Sequence, residues 1–132
     1  MTKDKRISGE EITGLLTVAS KKPKKVIWHS VDLLVRYSIT FNEYQSVIHN
    51  IISECTNGDG DCVLPLLDCA TKAYIIGAYA NVELPNDSEN LYSIIYGTDL
   101  YDVVFRNANQ NQIKSIIQSV LWCAGVGGGL YE

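Results

Sequence analysis

The residues with the strongest claim to chemistry lie between Asn57 and Asp68. Counted from Asn57, oxygen-bearing side chains fall at loop positions 1, 3, 5 and 12, namely Asn57, Asp59, Asp61 and Asp68. Hard oxygen donors at that spacing are what a twelve-residue calcium loop presents. Three departures weaken the match. The loop needs Gly at position 6 and has Cys62, needs a bidentate Glu at position 12 and has Asp68, and carries Pro65 at position 9. The competing expectation is a turn between two helices, with Gly58 and Gly60 supplying positive φ and Asp61 capping the second helix.

The other reactive residues form no constellation. Cys55, Cys62, Cys69 and Cys123 contain no Cys-x-x-Cys, and His29 and His49 stand at no metal-ligand spacing to them. Zinc is therefore not expected, and the thiols read as small buried hydrophobes. The pairs Asp59/Asp61 and Asp99/Asp102 sit at expected turns and helix starts, where capping accounts for them. There is no Gly-x-Ser-x-Gly, His-Glu-x-x-His or phosphate-binding loop. The run Gly125 to Gly129 comes after the last expected helix with no helix beyond it, so it aims no dipole at a phosphate. The expectation is a non-enzymatic protein without cofactor or metal.

The elements that would position these residues begin with Val26 to Ile39. Ile27, Val31, Leu33, Val35, Tyr37 and Ile39 alternate with Ser30, Asp32, Arg36 and Ser38, which predicts one long half-buried strand. Trp28 and Leu34 fall on the polar side of that pattern. A hairpin turning at His29-Ser30 is the alternative, although neither residue favours such a turn. A lone strand either pairs with the amino-terminal segment or leaves an edge for another molecule. Thr40 with Glu43 forms a capping box, and Phe41, Tyr44, Val47, Ile48, Ile51, Ile52 and Cys55 come after it at helical spacing.

Further helices are predicted over 64–80, from Asp87 or Ser88 to Tyr96 with Gly97 in the C′ role, from Thr98 or Asp99 through Phe105, and over 109–123. Ile113, Ile116, Ile117, Val120 and Leu121 make the last of these the clearest amphipathic stripe. Near the amino terminus, Ser8 and Glu11 form a second capping pattern before Ile12, Leu15, Leu16 and Ala19. The fold class is thus α+β, mainly α: five or so helices packed with one N-terminal strand or hairpin.

A chain of 132 residues with a 46% hydrophobic fraction supports one core. No uninterrupted apolar run is long enough to span a membrane, and no apolar stretch succeeds the charged first residues as a signal peptide requires. The net charge of −4 is unevenly spread. Residues 1–25 carry seven basic and three acidic groups, net +4, whereas residues 26–132 carry four basic and twelve acidic groups, net −8. This divides the chain into a basic arm (1–25), a helical domain (26–124) and a flexible Gly-rich tail (125–132). The acidic body repels phosphate, so nucleic acid is expected only at the arm. The candidate partner-binding residues are Lys21, Lys22, Lys24, Lys25, Trp28, Asp32 and Arg36, where the arm meets the strand.

Three stretches carry a resemblance. They are Val31 to Glu43, Ala73 to Pro85, and Leu91 to Thr98 together with the Asn/Gln-rich start of the last helix. In cadence, residues 26–122 resemble small proteins encoded by tailed phages and prophages of Gram-positive bacteria. The resemblance implies a virion-assembly or accessory protein, found in the virion or the host cytoplasm, and brings no catalytic residues. Partners would be other copies of itself or other virion proteins. The alternative is a phage-encoded inhibitor of a host defence or replication protein, presenting carboxylates in place of phosphates.

Overall fold

The expected long strand is broken in two. β1 (Lys24–Trp28) and β2 (Val31–Val35) form an antiparallel hairpin in the register Lys24↔Val35, Val26↔Leu33 and Trp28↔Val31. His29 and Ser30 make the turn with φ of 48° and 65°. Positive φ at both central residues matches the right-handed twist of the flanking strands, and that geometry outweighs the poor intrinsic fit of His and Ser. The reversal also reassigns the faces. Ile27 now pairs with Asp32 and is 73% exposed, while Val26 and half-buried Trp28 share the inner face with buried Leu33.

The computed structural model of the protein describes residues 6–13, 22–56 and 63–125. The turn expected at 57–62, the tail beyond residue 125, residues 1–5 and most of the first expected helix lie outside the described residues. The described part of that first helix, α1 (residues 9–13), has the expected cap: the Glu11 amide donates to Ser8 Oγ and the Ser8 amide to Glu11 Oε1, both at 3.1 Å. Five longer helices come after it: α2 (Phe41–Cys55), α3 (Leu64–Tyr79), α4 (Ser88–Gly97), α5 (Leu100–Asn107) and α6 (Gln110–Cys123). The fold is α+β and mainly α, as expected.

Three of the longer helices start at a side-chain cap. The Thr40–Glu43 capping box opens α2, Asp87 accepts from the Asn90 amide before α4, and Asn109 accepts from the Gln112 amide before α6. Gly97 does not take the C′ role. It is the last residue of α4, and Thr98 Oγ1 closes the helix by donating to the Ile94 carbonyl at 2.7 Å.

Helix α3 is the centre of the bundle and packs on α2, α4, α5 and α6. Ile75, Ile76 and Tyr79 are fully buried, and the Thr71 hydroxyl, also buried, donates to the Leu67 carbonyl one turn back. The core joins this helix to Val47 and Ile51 of α2, Val103 and Val104 of α5, Ile113 and Ile116 of α6, and Leu33 and Val35 of β2. Phe41 and Leu121, both expected on the apolar stripes of their helices, lie outside it: Phe41 is 70% and Leu121 37% exposed, and Leu66 of α3 also faces solvent.

The far edge of β2 is covered. Val35 bridges Ala80, the Arg36 amide donates to the Tyr79 carbonyl, and the Leu34 amide donates to Asn81 Oδ1 at 2.8 Å. Beyond Arg36 the chain leaves the sheet, and α6 takes over its backbone partners. The Asn109 amide donates to the Tyr37 carbonyl at 2.7 Å, while the Gln112 side chain accepts from the Ile39 amide and donates to its carbonyl.

Candidate functional site

Of the residues expected to meet a partner, Lys22, Lys24, Lys25 and Asp32 are exposed on or beside the hairpin, and Lys21 lies outside the described residues. Lys25 pairs with Asp32 at 3.4 Å, both side chains mostly in water. The other two candidates are engaged within the molecule. Trp28 Nε1 donates to Asp99 Oδ1 at 2.7 Å, and this bond, with the carboxyl exposed, holds Asp99 below the ordinary aspartate range. Arg36 donates to both oxygens of Glu43, at 2.7 and 2.8 Å. That fork, and after it the Thr40 amide, lowers the Glu43 carboxyl from 4.5 to about 2 and raises Arg36. Arg36 thus ties the end of β2 to the start of α2.

In a hairpin with a two-residue turn, the pairs flanking the turn and every second pair after them share their hydrogen bonds. Lys25 and Ile27 therefore turn their N–H and C=O groups away from β2. Among the described residues, none bonds to that outward edge of β1. On the outer face beside it stand exposed Ile27 and Leu34.

A second feature was not foreseen. A groove of about 580 Å³ runs between α2, α3 and the segment 82–86. One wall is polar, a ridge of Asn42, Ser46, Asn50 and Glu54 at four-residue intervals on α2. The other wall is apolar, built from Ala73, Gly77, Val82, Leu84 and Leu91. At its end the Tyr74 hydroxyl donates to Glu54, and this, with burial, pushes the phenol up to about 12. In the sequence the ridge looks like any solvated helix face. The one available signal was the alternation of Val82 and Leu84 in a segment otherwise read as a break between helices; both are half-buried.

Asp68, the last expected calcium ligand, is occupied otherwise: Tyr96 donates to it and Lys72 pairs with it at 3.3 Å. Among the described residues, no three His, Cys, Asp or Glu side chains gather in a way that could hold a metal ion. Nor, among them, is any helix long and apolar enough to cross a membrane. Of the cysteines, Cys55 is buried, Cys69 half-buried and Cys123 exposed, so the expectation of buried thiols fails at Cys123.

No protein-family model, curated protein or solved structure matches this chain. The hairpin edge and the groove are therefore read from their own geometry.

Proposed function

We propose that the protein is a non-enzymatic phage structural or virion-assembly protein that works through protein–protein contacts and associates with copies of itself along β1. The observation that carries the self-association is the outward edge of β1 with exposed Ile27 and Leu34 beside it, while the virion role rests on the resemblance of residues 26–122. The charge pattern supports pairing between copies. Antiparallel pairing centred on Val26 sets Lys24 against the partner's Trp28 and Lys25 against the partner's Ile27. Parallel pairing in register would oppose like charges. The hairpin is anchored on both sides of this edge, by Trp28 to Asp99 and by β2 to Ala80 and Asn81, so a pairing strand meets a preformed template.

Light scattering after size exclusion tests the reading, together with Ile27→Pro. This variant removes an outward N–H and leaves the bonds inside the hairpin in place. The expected result is a wild-type mass above the monomer and a monomeric variant with an unchanged helical spectrum. A wild-type chain that stays monomeric at about 100 μM, where weak interfaces of this kind populate, removes the self-association. Probing purified particles with an antibody against the chain tests the virion role. Recovery of a host protein in stoichiometric complex with a monomeric chain would instead favour the inhibitor reading.

A further inference from the structure

The groove between α2, α3 and segment 82–86 has features that the bundle's own packing does not require. Gly77 lies in the interior of α3, where glycine is less favourable than alanine. A Cβ at that position would meet nothing within 4 Å. An alanine would fit there without a clash, and the glycine leaves that wall of the groove open. Opposite it, the ridge from Asn42 to Glu54 rises through twelve residues of helix, roughly 18 Å.

The shape selects the occupant. The groove, about 580 Å³, follows the length of that ridge. An extended chain fits, and at roughly 3.3 Å per residue five of its residues match the ridge. Asn42 and Asn50 each offer a donor and an acceptor, the pair of functions that a peptide group requires. Leu84 and Leu91 face them with an apolar wall. The electrostatics add a polarity. Arg36 neutralises Glu43, whereas among the described residues Glu54 has no cationic partner.

We propose that this groove binds an extended, mainly apolar peptide segment of a partner protein, with a lysine or arginine lying against Glu54. The asparagines hold the main chain, the apolar wall takes alternate side chains, and Glu54 sets direction and register. The site is separate from the β1 edge, so either can fail without the other.

The test uses the full chain, labelled with 15N, and acetylated pentapeptides of Leu, Val and Ala carrying one lysine at each position in turn. A second set carries glutamate in its place. The expected result is saturable shifts of the Asn50, Gly77 and Leu84 amides with the lysine set, at least fivefold weaker with the glutamate set. Glu54→Gln should weaken lysine-peptide binding about fivefold, as for a solvent-exposed ion pair. Gly77→Leu should abolish binding while its unfolding temperature stays level or rises, which separates a filled groove from a damaged fold. No saturable shift with the lysine set, equal binding of both sets, or full binding by a folded Gly77→Leu chain would overturn the proposal.

Discussion

The indole of Trp28 and the carboxylate of Asp99, 71 positions apart in the chain, meet at 2.7 Å and fasten the hairpin to the start of α5. Asp99 occupies the N-cap position of that helix but makes no capping bond with its side chain. The Leu100 amide turns to Thr98 Oγ1 instead, at 3.3 Å. One carboxylate is thus diverted from local capping to a tertiary contact.

This contact should be visible in acid. With Trp122→Phe as background, Trp28 fluorescence reports the bond. Because the indole N–H stabilises the ionised carboxyl, the emission change should have its midpoint below the ordinary aspartate value of 3.8. Asp99→Asn should remove that transition. A midpoint at or above 3.8 would mean that the bond is not made in solution.

The Arg36–Glu43 fork sets a second pH dependence. Glu43 titrates near 2 in the folded chain and near 4.5 when unfolded, so the unfolded state binds the extra proton between those values. The stabilisation is complete above about 4.5 and is lost as pH falls toward about 2. With 42% of the Glu43 side chain exposed, the pair is solvent-screened and contributes about 0.5–1 kcal/mol. Urea unfolding of Glu43→Gln should show that deficit at pH 7, shrinking toward zero near pH 2.

Gln112 is the most demanding polar position. Its side chain holds both backbone groups of Ile39 and accepts from the hydroxyl of fully buried Tyr79. Gln112→Ala leaves three groups short of a partner and should cost about 2–4 kcal/mol. Gln112→Glu keeps the acceptors but cannot donate to the Ile39 carbonyl, so its loss should be intermediate. Urea midpoints at unchanged m-value make the measurement.

The hairpin turn can be improved. His29 and Ser30 both hold positive φ, which Asn-Gly adopts more readily. His29→Asn combined with Ser30→Gly should raise stability by about 0.5–1 kcal/mol. A fall in unfolding temperature would argue against the turn as described.

Much of the local architecture was legible in the chain because its causes are local. The Thr40–Glu43 box, the Asp87 cap and the buried stripe Ile113, Ile116, Val120 work through residues three or four apart and appear where they are expected, although Leu121 of the same expected stripe is exposed and Asn109, expected as the first helical residue, is the cap. Failures came where distant residues compete. Alternation across Val26–Ile39 is blind to a reversal of direction, so it placed Ile27 inside; the fold turns it out, and it swaps the expected partner residues Trp28 and Arg36 into bonds with Asp99 and Glu43. The groove was hidden for the same reason. Asn42, Asn50 and Glu54 look like a solvated helix face until α3 and Leu84 stand opposite them. The sequence by itself determined which segments are helical and where they start, since capping and periodicity act over one or two turns. Only the tertiary structure decided which polar residues face water, which face each other and where an edge or groove stays open, since those outcomes depend on contacts across tens of residues.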